Sequence, residues 1–171
     1  MKSILFTGTW RLTNSEVEHD VREAARNVIS RGDAIVTGGA TGVDYFAMSE
    51  ALLLDPTANT LKVIIPTNLE NYIDDYHTNW CKVPVTIEHI DALERLLTHL
   101  KTIKPEHLIE MPFDHAITQE HYDLRHNEEV AISDEVYAFR VNNSTGTQDT
   151  INKAMAAGLP LTLHKKYFIT E

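Results

Sequence analysis

The sequence contains little cysteine and no long apolar run. Cys81 is the one cysteine among 171 residues, so no internal disulfide can form, and this favours a reducing compartment. Nowhere does the chain approach the roughly 20 consecutive apolar residues that a membrane-spanning helix needs. The apolar run at residues 4–6 is also too short for a signal peptide. We therefore expect a cytoplasmic protein with no membrane partner.

Basic residues are also scarce. The chain has 15 lysines and arginines against 25 aspartates and glutamates, which gives a formal net charge of −10. Such an acidic surface repels a polyphosphate backbone over long range, so nucleic acid is not expected as a partner. The same charge leaves room for one small anion that is held locally by backbone amides and a few arginines.

Linkers and repeats are absent from the sequence pattern. We therefore expect one domain over residues 1–171, with a helical insertion at about 67–118 where the patterning is irregular. Elsewhere apolar runs alternate with helical patterns, which is typical of a parallel sheet covered on both faces. The predicted fold class is three-layer α/β with a mostly parallel five-stranded sheet, and its strands are Ser3–Phe6, Ala34–Thr37, Leu61–Ile65, Glu135–Arg140 and Leu159–Leu163.

A first glycine loop follows the second predicted strand. Residues 34–44 read AIVTGGATGVD, so an apolar run stops at Gly38 and Gly39 and a helical pattern begins after Gly42. Glycine lets a ligand approach bare N–H groups, and the following helix N-terminus favours an anion. Thr41 offers an additional hydroxyl donor. The alternative interpretation is a tight structural turn without a ligand.

A second loop, residues 142–149, follows the fourth predicted strand and opens a helix. It reads NNSTGTQD, and hydroxyls beside a glycine at a helix start suit a phosphate, although a simple helix cap is the alternative. Ligands of such sheets bind at the carboxyl ends of the strands, where the segment 7–9 also lies. We therefore expect all three segments to meet in one crevice that binds a nucleotide-like small molecule.

Four side chains near these loops each have two interpretations. Asp44 either caps the helix after the first loop or accepts hydrogen bonds from ribose hydroxyls. Arg125 either binds a phosphate or forms an i,i+4 ion pair with Glu129 on a solvated helix face. Trp10 and Arg11 are placed to cover a base or sugar. Trp10 has the alternative of packing at the edge of the domain.

Metal and cofactor sites are not predicted. The histidines at 115, 121 and 126 match no zinc spacing, and a second cysteine is lacking. The pattern shows no nucleophilic triad either.

These segments resemble the SLOG superfamily of Rossmann-like proteins, which includes the LOG-type nucleoside monophosphate phosphoribohydrolases and DNA-processing protein A. The resemblance is carried by FTGTWR at 6–11, TGGATGVD at 37–44, Arg125, SD at 133–134, YAF at 137–139 and STGT at 144–147. It implies a Rossmann-like fold in which Gly38, Gly39, Thr41, Gly42 and residues 144–147 hold a phosphate and ribose. In LOG enzymes a catalytic arginine stands nine residues before an aspartate, as Arg125 stands before Asp134.

The chain departs from the LOG pattern at one important position. LOG enzymes carry PGGxGTxxE, whose glutamate helps to cleave an N-glycosidic bond, whereas here Thr150 takes the glutamate position. Asp149 or Asp44 would have to replace that carboxylate. The leading hypothesis is therefore a protein that binds or senses a nucleotide or nucleotide-derived metabolite. The alternative is a nucleoside 5′-monophosphate phosphoribohydrolase that cleaves the N-glycosidic bond.

The resemblance also implies a homodimer or a higher homo-oligomer, because relatives commonly pair through helices that flank the site. The candidate catalytic residues are Arg125 and Asp149. The candidate ligand-binding residues are Gly8, Thr9, Trp10, Arg11, Gly38, Gly39, Ala40, Thr41, Gly42, Asp44, Arg125, Asn127, Ser144, Thr145, Gly146 and Thr147.

Overall fold

A six-stranded parallel sheet forms the middle layer of the protein. The computed structural model describes residues 1–113 and 116–171. The strands are β1 Ser3–Gly8, β2 Ala34–Thr37, β3 Leu61–Ile65, β4 Leu108–Glu110, β5 Glu135–Val141 and β6 Leu161–Tyr167. They lie in the order β4-β3-β2-β1-β5-β6, and every neighbouring pair is parallel. The predicted three-layer α/β class of Rossmann-like type is confirmed.

The predicted number of five strands is wrong, because β4 lies inside the irregular insertion. It is only three residues long and follows a 3₁₀ turn at Pro105–His107, so it carries almost no alternation or apolar run of its own. Its pairing with β3 defines it, with Val63 opposite Leu108. Such a short edge strand is specified by its neighbour in the sheet and hardly at all by its own sequence.

Within residues 1–113 and 116–171, six α-helices cover the sheet. They are α1 Ser15–Ser30, α2 Val43–Leu54, α3 Leu69–Asp75, α4 Ile87–Ile103, α5 Gln119–Ala131 and α6 Thr145–Ala156, and a π-helical turn at Tyr76–Trp80 extends α3. Among the described residues, no helix is both long and apolar enough to cross a membrane.

The apolar faces of these helices build the core. In α1 the Asn14 side chain accepts a hydrogen bond from the Val17 amide and starts the helix, and Val17, Val21 and Val28 are then buried at helical spacing. Burying each of these side chains contributes about 1.5–3 kcal/mol before the entropy cost is counted. In the insertion, α4 buries Ile90, Leu93, Leu97 and Leu100 in the same core.

The strand order places a topological switch beside β1. From β1 the chain moves outward through β2, β3 and β4 and then returns to β5, on the other side of β1. Helical connections on the two sides of such a switch leave a crevice at the carboxyl ends of the strands. At that edge Gly8 of β1 lies in register with Phe139 of β5.

Candidate functional site

A cavity of about 260 Å³ opens at the carboxyl edge of the sheet, where the strand order switches. Its walls come from the end of β1 at Gly8, the first loop at Gly38 and Ala40, α5 at Arg125, and the second loop. The expected convergence of three segments is therefore a feature of the fold.

The first loop was expected to present free amides to a ligand, but the carboxylate of Asp44 already accepts hydrogen bonds from its amides. The Ala40 amide donates to Asp44 Oδ2 at 3.2 Å, and the Gly38 amide also favours the charged form of this carboxylate. The Gly39 amide donates to Thr37 Oγ1 at 3.3 Å. Asp44 thus does what a bound anion would do at this loop. Asp44 lies in the first turn of α2 without capping it, since Gly42 is the N-cap residue and no side chain caps this helix, and Asp44 also lines the cavity.

Three residues of the first loop do not line the cavity, and they shape the backbone instead. A Cβ on Gly42 would clash with the carbonyl oxygen of Thr9, and one on Gly39 would lie 2.8 Å from Val63 Cγ1. Both glycines have positive φ, 75° and 69°. The Thr41 hydroxyl donates to the Trp10 carbonyl oxygen at 2.7 Å, so it joins the first loop to the segment that follows β1.

The second loop contributes the exposed end of a helix. Residues 144–147 all line the cavity, and Ser144 is the N-cap residue of α6. The Gln148 amide is bonded back to the Ser144 carbonyl oxygen at 3.3 Å, so the amides ahead of it stand at the open first turn. Thr147 Oγ1 lies 3.3 Å from Ser144 Oγ and adds a hydroxyl to the same wall. Amides and hydroxyls at a helix start attract an anionic group.

Arg125 lies on the floor of the cavity rather than on a solvated face. Its side chain is 9% exposed, Nη1 donates to the Gly38 carbonyl oxygen at 2.8 Å, and the guanidinium carbon lies 5.1 Å from the centre of the Tyr122 ring. The ion pair with Glu129 does form, with 3.5 Å between Nε and Oε1, but it is buried. The expected ion pair therefore exists but is not on a solvated face, and the paired guanidinium lines the cavity.

The carboxyl groups beside Arg125 are held in unusual protonation states. Burial raises the pKa of Glu129 to about 8, although Arg125 opposes the shift. Burial also raises the pKa of Asp44 to about 6, with Arg125 and the loop amides opposing. Perturbed carboxyl groups in a cavity are typical of functional sites.

His126 completes the floor as a neutral ring. Burial, followed by the nearby charge of Arg125, lowers its pKa to about 3. Arg125 Nη2 lies 3.2 Å from His126 Nε2, and a guanidinium can only donate, so this nitrogen accepts. The ring proton is therefore on Nδ1, 3.6 Å from Asp149 Oδ2.

An aromatic wall, formed by Trp10, Tyr72, Tyr76, Trp80 and Tyr122, lines the cavity. The rings of Trp10 and Trp80 meet edge to face with centroids 5.3 Å apart, and Trp80 is 36% exposed at the mouth. Inside, the Tyr72 hydroxyl donates to the Gly39 carbonyl oxygen at 3.0 Å. Three members of this wall, Tyr72, Tyr76 and Trp80, were not predicted from the sequence, because they lie in the insertion. Their spacing of four residues, 72, 76 and 80, was the available signal.

Besides Gly39, Thr41 and Gly42, four further candidate residues lie outside the cavity lining. Arg11 Nη1 is 2.7 Å from Glu171 Oε1 at the surface, the carbonyl oxygen of Thr9 accepts from the Val43 amide, and Asn127 is exposed on α5. Asp149 pairs with Lys153 at 2.6 Å. Its position gives no support to the role of catalytic carboxylate.

One set of metal-type ligands lies next to the cavity. Donor atoms of Asp123, His126 and Asp149 lie within 4.8 Å of one another. The Lys153 ammonium already lies among them, 3.4 Å from Asp123 and 2.6 Å from Asp149, so a cation of the chain itself already pairs with both carboxylates. His115, also considered in the sequence analysis, lies outside the described residues.

No protein-family model and no curated protein matches the chain. Among solved structures, it is similar to DNA processing protein A from Helicobacter pylori, with a TM-score of 0.65 and 19% identity, over 99% of this chain and 66% of that one. It is also similar to TM1055, a structural genomics target, with a TM-score of 0.54 and 16% identity, over 94% and 72% of the two chains. At these identities the likenesses show the shared Rossmann-like fold and nothing more specific.

The prediction that nucleic acid is not expected as a partner is wrong. The H. pylori protein, which has this fold, is described by its unique single-stranded DNA binding mode. The physical error lies in using the net charge of −10 for a local question. Long-range repulsion slows the approach of a polyanion, whereas binding of a nucleotide unit in a cavity depends on the groups that line that cavity.

Proposed function

We propose that the chain binds a phosphorylated nucleoside in the cavity at the sheet edge. The observation that carries the proposal is the presence, in a single cavity, of the open first turn of α6 and the aromatic wall. Amides and hydroxyls of residues 144–147 would take the phosphate, and Trp10 with Trp80 would stack on the base. The volume of about 260 Å³ lies at the small end of ligand cavities and suits one nucleotide unit.

The nucleotide unit has two possible sources, a free nucleotide-derived metabolite and a single strand of nucleic acid. The fold shared with a protein that binds single-stranded DNA favours the strand. The chain spans 66% of that protein's length, so what the whole protein does is carried over only as part of this proposal. In either case the same amides and rings would hold one phosphate and one base.

A second candidate function is hydrolysis of the N-glycosidic bond of a nucleoside 5′-monophosphate. The observation that favours it is the pair of buried carboxyl groups, Asp44 and Glu129, which line the cavity beside Arg125. Since Asp149 lies outside the cavity lining, either of these two groups is a better placed carboxylate. Release of free base from nucleoside monophosphates, and its loss in Arg125→Lys, would establish this activity.

The test of binding uses the exposed tryptophan at the mouth. Nucleoside monophosphates are titrated into the protein, with binding followed by calorimetry, and the matching nucleosides test the phosphate contribution. Trp80→Ala should weaken binding about tenfold, because stacking on an aromatic ring contributes about 1–3 kcal/mol per base. Phe168→Ala is the matched control, since Phe168 is a 79% exposed aromatic residue that does not line the cavity.

The outcomes separate the sources of the ligand. Tighter binding of a single-stranded oligonucleotide than of the monophosphate, with affinity that falls steeply with salt, would assign the strand. Tight binding of the monophosphate alone would assign a free metabolite. The proposal would be refuted if monophosphate, nucleoside and oligonucleotide all failed to bind, or if Trp80→Ala and Phe168→Ala changed the affinity equally.

A further inference from the structure

Glu129 is a buried carboxyl group in the cavity that the proposed contacts to phosphate and base do not use. Its side chain is 4% exposed, and it is enclosed between Arg125 on its own helix and Gly38 of the first loop. No hydrogen-bond partner is found for Oε1 within the described part of the chain. When Glu129 is ionised, its Oε1 is stabilised by the charge of Arg125, because no hydrogen-bond donor for this oxygen is found among the described residues.

The charges that face Glu129 do not balance when all groups are ionised. Arg125 is the buried cation, and it serves two carboxyl groups, Glu129 from α5 and Asp44 from the first turn of α2. Lys153 from α6 acts on Glu129 more weakly and from its own pair with Asp149. His126 is neutral, and Tyr72 and Tyr122, which lie around Arg125, are protonated phenols. With both carboxyl groups ionised, the cavity floor carries one negative charge in excess.

Protonation of either Asp44 or Glu129 would remove this excess negative charge, and the two carboxyl groups differ in how readily they take up a proton. Burial raises the pKa of Asp44 only to about 6, because Arg125 and the amides of the first loop favour its ionised form. Glu129 has no comparable donors, and burial favours its protonated form. When an anion enters the cavity, the added negative charge disfavours the Glu129 carboxylate further, since like charges in a desolvated space repel strongly.

We propose that binding of a phosphorylated ligand in this cavity is coupled to the uptake of one proton by Glu129. The ligand anion and a proton from solvent enter together, and the complex contains a neutral Glu129 carboxyl beside the Arg125–Asp44 pair. This inference rests on the proposed function, because it concerns the same site. It makes ligand affinity sensitive to pH in the range where Glu129 titrates.

The test is proton-linkage calorimetry with a nucleoside monophosphate. Binding enthalpies are measured at pH 9 and at pH 6.5 in pairs of buffers that differ in ionisation enthalpy. The slope against the ionisation enthalpy gives the number of protons taken up. Since burial places the pKa of Glu129 at about 8, uptake should approach one proton at pH 9 and be much smaller at pH 6.5, where Glu129 is already protonated. At pH 9 the phosphate, with its second pKa near 6, is already a dianion and contributes no proton change.

Affinity and a conservative variant complete the design. Between pH 7 and pH 9 the affinity of the unmodified protein should fall about tenfold, because only the protonated form of the site accepts the ligand. Glu129→Gln keeps the size and removes the titration, so its uptake at pH 9 should vanish and its affinity should stay level over this range. Glu128→Gln is the control, because Glu128 is exposed on the same helix and should leave both quantities unchanged.

The possible results distinguish a failure of this inference from a failure of the proposed function. Binding without proton uptake at pH 9, or the same uptake in Glu129→Gln as in the unmodified protein, would overturn the inference and leave nucleotide binding standing. If the glutamine variant did not fold, the uptake and the pH dependence of the unmodified protein would still decide the matter. A complete lack of binding at both pH values would refute the proposed function, and the inference with it.

Discussion

Gly38→Ala tests whether the cavity floor depends on a bare backbone at this position. A Cβ on Gly38 would clash with Glu129 Oε1 and would lie 2.9 Å from Arg125 Cζ. Both neighbours are buried, so neither can move out of the way into solvent without leaving its partner. The guanidinium would also be pushed off the Gly38 carbonyl oxygen, where Nη1 now donates at 2.8 Å. The substitution adds one methyl group and perturbs the whole charged floor.

The magnitude follows from overpacking a tight site. Inserting a methyl group where side chains cannot relax costs about 1–3 kcal/mol. Because Gly38 has no positive φ, backbone strain does not add to this figure. We therefore expect the free energy of unfolding in urea to fall by about 1–3 kcal/mol. Nucleotide affinity should fall as well, since Arg125 and Gly38 both line the cavity.

Gly146→Ala is the matched control in the second loop of the same cavity. A Cβ there meets no described atom within 4 Å, and the residue lies in the first turn of α6, where alanine is a good helix former. Its stability should equal or slightly exceed that of the unmodified protein. If Gly38→Ala were as stable as Gly146→Ala and bound nucleotide equally well, the close packing of Gly38 against Arg125 and Glu129 would be refuted.

The remaining predictions concern charge and hydrogen bonding. The fold raises the pKa of Glu129 from 4.5 to about 8, so ionisation of this carboxyl lowers the stability of the protein as pH rises through that range. Glu129→Gln should therefore increase the free energy of unfolding by on the order of 2–4 kcal/mol at pH 8 and by little at pH 4.5. Equal effects in urea melts at both pH values would contradict this. Thr41→Val should lose about 1–2 kcal/mol in the same assay, since it leaves the Trp10 carbonyl oxygen without its donor, and an unchanged midpoint would argue against that bond. Glu50→Gln should cost about 1–3 kcal/mol, because Glu50 is buried and contacts two arginines of α1, whereas Glu171→Gln at an exposed pair should change stability by less than about 0.5 kcal/mol.

Patterns within a short stretch of sequence predicted the fold class and the meeting place of the loops. The apolar runs at 34–37 and 61–65 were recognised with the bounds that the structure has. Parallel strands bring their carboxyl ends to one edge, so the two loops had to lie close together. Prediction failed at β4, whose three residues become a strand only through pairing with β3.

The individual roles at the site could be predicted far less well. Asp44 occupies amides that the sequence offered to a ligand, and it reaches them because the loop folds back by four residues. Tyr76 and Trp80 lie in an irregular π-helical turn whose position in the fold has no local signature. Arg125 was noticed, but its burial and its bond to Gly38 join residues 87 positions apart. The aromatic wall and the cavity floor were therefore missed or misjudged.

The sequence by itself determined the alternation of strands and helices, the parallel sheet and the two loops at its carboxyl edge, because these depend on periodicity and on glycine positions within short windows. The tertiary structure alone decided which amides remain open, which rings form the wall, and that Glu129 holds its proton near neutral pH. Hydrogen-bond occupancy and desolvation depend on atoms that distant segments bring together, so they do not exist until the chain has folded.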